Sequence, residues 1–533
     1  MPVSPKLPQD GLFDSYYYDE LVPRDHELML IDRHISFAFV YDEVQDCYTG
    51  IGRPPVDPAI MLRFCFLKDY ANLSDAELEQ QCRYNLLYRK FLHLTGNDRP
   101  PDSTSLTVFR NRLGEERMKA CLDRVVQAAS EAGLVGNKRV HVDSTGIVAD
   151  IAIPRLRGLT LSAAEDALAA LDTLGLTGEA EPLRLEWAAL QADSDYWQTK
   201  ERRDAHVLAC WELLGRLADV YEELMSRAGW NSVQEELILQ RAGLMEKVLQ
   251  RQSARKTSER RDLIVSVEDP DARWNNRQEG KRPFPGYKEH IIEDEASGIV
   301  TDVIVTPANV DDSTQLQALV AGHEASVDAT PEELGADAKY HTGPNREFLR
   351  GEGIGAYIAV PAAKGEKQGM FSAGDFEHDA EGDCVMCPAG QIAEGGKWDE
   401  KEQGRTYYFR KGQCEGCALR ERCTKCKRGR TVFISDYREV LQSARAEKDR
   451  PEQLEGQVRR LGIERTFAVQ KRRHGMGRTR YRTLSRVRIG VYLNVMMLNI
   501  RRMTKQLMNP GAQGQAGPGP AQVLRQGVIA CAG

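Results

Sequence analysis

The 533-residue chain has 41% hydrophobic and 28% charged residues and a net charge of −7, ordinary values for a water-soluble protein of about two to four domains. No apolar run is long enough to span a bilayer and no signal peptide is read, which argues against a membrane protein and sets the expectation of a cytoplasmic one. The mean charge hides a division: residues 161–250 hold 17 acidic against 8 basic side chains, whereas 456–508 hold 14 basic and one acidic, Glu464, the footprint of a region that meets a polyanion such as DNA.

Residues 1–20 lack periodicity and are expected to lie extended over the surface. From about 25 to 125 the pattern is helical. Asp57 followed by Pro58 marks a helix start, with Ile60, Met61, Phe64 and Leu67 on one face, and Ser74 with Glu77 makes a capping box for the next helix. After Pro100-Pro101-Asp102, residues Leu106, Phe109 and Leu113 form an apolar face with Arg110 and Arg112 opposite. Short helices with tight breaks predict an N-terminal helical domain over 1–130, either helix-turn-helix-like or a small bundle that binds nothing.

Residues 138–148 switch to strand chemistry, with Val140 and Val142 on one face and His141 and Asp143 on the other. An acidic helical insertion over 156–260 follows, with a capping box at Ser162 and Glu165 and heptad spacing through Val207, Trp211, Leu214, Ala218, Tyr221 and Met225. Trp187, Trp197, Trp211 and Trp230 lie in it; tryptophan can stack on extruded bases, but core packing is the plainer reading. Residues 286–305 then read as two strands with a turn near Ala296-Ser297-Gly298. A helix near 313–325, a short strand ending at Asp337, a helix from about 344 and a strand at Tyr357-Ile358-Ala359-Val360 come next. This order is that of an RNase H-like mixed sheet, so the expected fold is α/β (α+β), its catalytic domain assembled from 131–155, 261–375 and 431–508. A long helix from about 438 through Glu464 to Lys471 and a final amphipathic helix over roughly 485–507 complete it. The Gly-, Pro-, Gln- and Ala-rich stretch 509–533 reads as a disordered tail.

Six of the twelve cysteines form three C-x2-C pairs within a module at 376–430: Cys384/Cys387, Cys414/Cys417 and Cys423/Cys426. In a cytosolic chain such pairs favour a metal over disulfides. Zinc takes four thiolates, so six candidates exceed one site by two. A small loop-rich knuckle held by metal is the expected role, with Arg420, Arg422, Lys425, Lys427 and Arg428 near DNA; a redox dithiol is the weaker alternative.

Asp143 falls within the first strand, Asp337 ends a later one, and Glu464 sits on a helix beyond it, 194 and 127 residues apart. Carboxylates so placed can converge at one end of the sheet. There they can hold two divalent ions about 3.5–4 Å apart, which activate a water or 3′-hydroxyl at a phosphodiester. Oxygen ligands suit magnesium, with manganese as a substitute. The cations around Glu464 would neutralise flanking phosphates.

Several segments together resemble the DDE transposases of bacterial insertion sequences, close to insertion-sequence family 1182, over about residues 20–508. They are GRPPVDPAIMLRFCFL, PDSTSLTVFRNRL, HVDSTGIVAD, SVEDPDARW, GYKEH, VTPANVDDS, ADAKYHTG and IERTFAVQKRRHGMGRTRYRTL. The resemblance implies Asp143, Asp337 and Glu464 as the catalytic, metal-holding acids. It carries the Y-x2-R-x3-E-x6-K signature onto Arg460, Glu464 and Lys471, with Gln457 in place of the tyrosine. Arg460 and Lys471 would then grip DNA phosphate, with Arg465, Arg472 and Arg473 beside them. It also points to Cys387, Cys414, Cys417 and Cys423 as the ligands of a structural zinc, with Cys384 and Cys426 as alternates. His141, Lys288, His290 and Asp312 fall in matching segments; His290 reads as structural and Lys288 as an exposed strand lysine. The implied function is binding of terminal inverted repeats, metal-dependent cleavage and strand transfer into target DNA. The setting would be a homodimeric synaptic complex at the bacterial nucleoid. The rivals are a DNA-binding regulator derived from such an enzyme and a nuclease without strand transfer.

Overall fold

A computed structural model of the chain describes residues 14–47, 56–136, 138–253, 262–275, 282–362 and 369–508. The expected tail at 509–533 lies outside the described residues, as does the stretch before Asp14. The rest of the expected extended N-terminus is instead a helix, Asp14–Leu21. Tyr18 anchors it by burying its ring and donating its hydroxyl to the Leu94 carbonyl at 2.6 Å.

A mixed sheet positions everything that follows. Its strands are β1 (Arg139–Ala149), β2 (Arg273–Trp274), β3 (Pro285–Asp294), β4 (Val300–Pro307), β5 (Glu333–Ala336) and β6 (Gly355–Ile358). The spatial order is β4-β3-β1-β5-β6, with β2 on the end of β3 and a short Arg478–Thr479 strand on the end of β1. β3 runs antiparallel to both β1 and β4, while β1, β5 and β6 are parallel. The β3–β4 hairpin turns where Asp294 accepts from the Ser297 backbone N–H (2.8 Å) and hydroxyl (2.6 Å). The edge of β4 is not left open: the Asn499 amide pairs with both the N–H (3.0 Å) and the C=O (2.8 Å) of Val300.

The two faces of the sheet carry different cores. One joins Val140, Val142, Ile292 and Leu334 to the Leu316–Val327 helix through Leu316, Leu319 and Val320. The other is shared: Ile147, Tyr287 and Ile291 of the sheet, Leu28, Phe64, Leu106 and Leu122 of the N-terminal helices, and Val491, Met496 and Ile500 of the last helix form a single cluster. The N-terminal helices thus close no separate core. Asp57 and the Ser74–Glu77 capping box start their helices as expected. Arg110, expected opposite the apolar face, is buried and donates to Asp75 at 2.5 Å, because that side of its helix packs against the capped helix. The last helix, Leu484–Met508, is not amphipathic. Nearly every residue from Val487 to Ile500 is buried, since it runs between β4 and the N-terminal helices.

Among its described residues, the insertion between β1 and β2 has its own core and four helices, Leu156–Thr173, Thr177–Ala192, Lys200–Ser226 and Ser232–Ser253. Ser162 lies inside the first of these, so the expected capping box is absent and Arg155 is the N-cap. The buried seam of the third helix runs through Trp211, Leu214, Leu217, Tyr221 and Leu224, leaving Met225 exposed. Packing against several helices, rather than one coiled-coil partner, displaces the heptad register. Trp211 is buried, and Trp187 and Trp230 each donate to a backbone carbonyl at 3.0 Å; only Trp197 of the four is well exposed.

The cysteine module is more regular than a loop-rich knuckle. It holds two three-stranded antiparallel sheets, Glu377–Asp379/Cys384–Met386/Ile392–Glu394 and Lys397–Asp399/Gly404–Tyr408/Thr431–Ser435. Alternating Tyr407, Val432 and Ile434, with Val385 and Ala393, supply its core. The expected single helix from 438 to Lys471 is three: Arg438–Glu447, Pro451–Arg460 and Gly462–Arg473. Pro451 starts the second because it lacks the N–H that a continuing helix needs. The break at Leu461 separates Arg460 from the helix that carries Glu464. No helix among the described residues is long and apolar enough to cross a membrane.

Candidate active site

Parallel pairing of β1 with β5 sets Val142 opposite Ala336, so Asp143, the next residue within β1, stands beside Asp337, where the chain leaves β5. Asp337 turns the chain: its carboxylate accepts the Lys339 N–H at 2.9 Å and caps the short Ala338–Tyr340 helix. Gly335 makes this closeness feasible. A Cβ there would stand 2.7 Å from Nδ1 of the buried His141 ring, its register partner. Gly335→Ala is expected to cost about 1–3 kcal/mol by overpacking and to displace Asp337 from Asp143. A lowered denaturation midpoint together with lost activity would register both effects.

Asp143 is largely buried and held at two oxygens. Oδ1 accepts the Ser144 N–H at 2.7 Å and Oδ2 accepts from Arg460 Nη1 at 3.0 Å. Burial pushes its carboxyl up to about 6, and the charge of Asp337 pushes the same way; the Ser144 N–H, Arg460 and Lys339 pull it down. Glu464 enters from the helix above with 59% of its side chain exposed, 3.7 Å from Arg460 Nη2. One guanidinium therefore links two of the acids, and strand register joins the third.

The Gly462–Arg473 helix is seated by an unexpected acidic column on β3. Residues facing one another across an antiparallel pair share a face, so Asp143, opposite Ile291, lies on the same face as Glu289 and Glu293, opposite Thr145 and His141. Gln470 donates to Glu289 at 2.8 Å, and Thr466 and Arg502 both donate to Glu293. Ile463 and Phe467 fill the gaps between them. Carboxylates four residues apart in GYKEHIIED were the available signal, in a segment read only as a strand. Burial pushes Glu289 up to about 7, against the amide of Gln470 and the charge of Lys471. Its folded value lies above the ordinary 4.5. Between those two values the folded chain keeps a proton that the unfolded chain releases, and stability falls as pH rises through the window. Glu289→Gln is expected to change stability little near pH 5 and to raise it by up to about 3 kcal/mol near pH 8, read from denaturation midpoints at the two pH values.

Arg465, Lys471, Arg472 and Arg473 are exposed on the same helix as Glu464, and Gln457 is half-buried one turn before Arg460. His290 is buried with Nε2 2.9 Å from Thr306 Oγ1, a structural placement. Lys288 is not an exposed strand lysine: it is buried and donates to Asp312 Oδ1 at 2.7 Å, because the turn carrying Asp312 folds over it.

The acids offer hard oxygen donors of the type magnesium takes. Yet among the described residues no three His, Cys, Asp or Glu side chains stand close enough to enclose an ion. At the acids the reason is visible: Arg460 lies between Asp143 and Glu464. In chemistry, three carboxylates are the donor type a divalent ion takes. In the cysteine module, Cys387, Cys414, Cys417 and Cys423 line one small cavity beside Phe371 and Phe409, while Cys384 and Cys426 do not. Burial pushes the Cys423 thiol up, and Cys414, Cys387 and Cys417 act on it in the same sense.

Residues 16–112 match a family described as a transposase domain (DUF772), and residues 386–504 match one described as a transposase DDE domain. The second match spans the four cavity cysteines, Arg460, Glu464 and Lys471, and leaves Asp143 and Asp337 outside it. The chain is also similar to the uncharacterized protein ORF8 in the nfe locus of Rhizobium meliloti, 26% identical over 148 residues, which cover 26% of this chain and 72% of that protein. No solved structure matches.

Proposed function

The chain belongs to the DDE transposases of insertion sequences, and on that premise we propose that it binds the terminal inverted repeats of its element, cuts the phosphodiester at each end and joins the freed 3′-hydroxyl to target DNA. One observation carries the reading: Asp143 within β1 stands beside Asp337 at the end of β5, while Arg460 ties Asp143 to Glu464. The strand order, with the second strand antiparallel to the rest, supports an RNase H-like catalytic domain.

Asp143, Asp337 and Glu464 would hold two magnesium ions, which when bound supply a metal-activated oxygen nucleophile and charge for the leaving oxygen. The chain's own residues do the rest. Arg460 transfers its hydrogen bonds from carboxylate to DNA phosphate, clearing the acids. Lys471, Arg465, Arg472 and Arg473 hold the flanking backbone, which makes binding strongly salt-dependent. A homodimer on double-stranded DNA, working at the bacterial nucleoid in the cytoplasm, fits two ends cut together.

Cys387, Cys414, Cys417 and Cys423 would hold a structural zinc. Elemental analysis of purified protein is expected to find about one zinc per chain. That zinc should be lost in Cys414→Ser and kept in Cys384→Ser and Cys426→Ser. Zinc lost equally from all three would reassign the ligands.

The test is joining of a pre-cut terminal-repeat duplex to a supercoiled plasmid in magnesium. Joined product supports transposition. Cleavage of intact ends without joining would make the protein a nuclease, and binding with neither would make it a regulator.

A further inference from the structure

We propose that Lys339 is a second phosphate-binding cation of this active site, held in place by the buried Asp312 and reaching the DNA backbone from the side opposite Arg460. The inference rests on the transposase reading above and adds a residue to it.

Lys339 lies two residues after Asp337. Its backbone N–H goes to the Asp337 carboxylate at 2.9 Å, but its ammonium does not. Nζ donates instead to Asp312 Oδ2 at 2.6 Å, and Lys288 occupies the other oxygen at 2.7 Å while also donating to the Val310 carbonyl at 2.7 Å. Asp312 is 2% exposed, Lys288 9% and Lys339 43%. A buried carboxylate needs one cation, and Lys288 supplies it. The second leaves the trio with a net positive charge, and the open end of that charge acts on both Asp337 and Asp143.

Two cations crowded on one carboxylate repel each other, so a purely structural trio would be wasteful. Nor is Lys339 needed to join the two turns. The buried Asn345 amide already bridges them, donating to Ser313 O at 2.9 Å and Tyr340 O at 3.2 Å. What Asp312 does accomplish is to draw the ammonium off Asp337. A lysine paired with that carboxylate would compete with any cation there. Held beside it, the same lysine leaves the acid open and presents positive charge to an anion laid across Asp143 and the end of β5. Arg460 and the helix cations approach from the Glu464 side, so a backbone crossing the three acids would be flanked on both sides.

The experiment uses full-length wild type, Lys339→Ala and Lys339→Arg with a synthetic duplex carrying one terminal repeat. Binding is measured in calcium across a salt series and cleavage in magnesium. A phosphate contact predicts that Lys339→Ala flattens the slope of log affinity against log salt by about 0.9. It also predicts cleavage roughly 10- to 100-fold slower for Lys339→Ala, in the range of losing one charge-stabilising contact, with Lys339→Arg restoring most of both. An unchanged slope and rate would overturn the proposal, as would a lowered melting temperature with an unchanged slope, the mark of a mere staple. Wild type that binds without cutting would count against the catalytic reading alone, and the salt slope would still decide Lys339.

Discussion

Asp143→Asn is expected to lower DNA cleavage by at least about three orders of magnitude, a loss of roughly 4 kcal/mol of transition-state stabilisation, while leaving the protein as stable as before or more so. The amide keeps the size of the carboxylate and can still accept the Ser144 N–H. What it removes is a charge that the fold holds at a cost. Burial and the Asp337 charge raise Asp143 to about 6. Its ionised form therefore weakens the folded state above that pH, and the penalty disappears below the ordinary carboxylate value near 4. At pH 8 the variant should melt no lower than wild type; near pH 4 the two should converge. Metal-free binding to the terminal repeat should persist or tighten, since a negative charge has left a surface that receives phosphate. A variant that loses cleavage and stability together would instead make Asp143 a structural residue.

Arg460→Ala is expected to act in two opposite directions. Its guanidinium stands 3.0 Å from Asp143 and 3.7 Å from Glu464, where a divalent ion would have to compete with it. Removing it should tighten manganese binding to the DNA-free protein by roughly tenfold, about 1.4 kcal/mol, detected by calorimetry or electron paramagnetic resonance. Cleavage should nevertheless fall by about 100-fold or more, since a contact to the transferring phosphate is gone. In wild type the same arrangement should make DNA and metal cooperative: phosphate would take the arginine and free the acids for the ions. Linkage requires the coupling to be mutual, so metal should also tighten DNA binding, and Arg460→Ala should weaken that effect. Manganese bound no better by Arg460→Ala than by wild type would show that the arginine does not gate the acids.

How far the sequence reached differs from element to element, for physical reasons. The hairpin over β3 and β4 and the helix starts at Asp57 and Ser74 were legible because turn and capping chemistry is local. The three separate helices over 438–473 were not, because the stretch was read as one helix although Pro451 and the break at Leu461 lie inside it. Ser162 and Glu165 have capping spacing, but they sit on an interior turn of a helix already started at Leu156, so spacing alone misleads there. Arg110 looked like a solvent-facing arginine; whether it pairs with Asp75, 35 residues away, is decided by tertiary packing. At the site, Asp143, Asp337 and Glu464 could be picked out as types in order. The contacts around them could not, because each joins distant segments: Arg460 to Asp143, Gln470 to Glu289, Lys339 to Asp312. Lys288 was misread for the same reason, its partner being a carboxylate on the far side of a strand and a turn.

In the proposed site three carboxylates act as one metal-dependent centre for cutting DNA, and Glu464, the most exposed of them, is its least anchored member. The most direct test is magnesium-dependent cleavage of DNA carrying the ends that flank this reading frame, comparing wild type with Glu464→Gln. Cutting by wild type, none by the variant and equal binding of the repeat by both are expected. Cutting by Glu464→Gln at the wild-type rate would remove Glu464 from the centre.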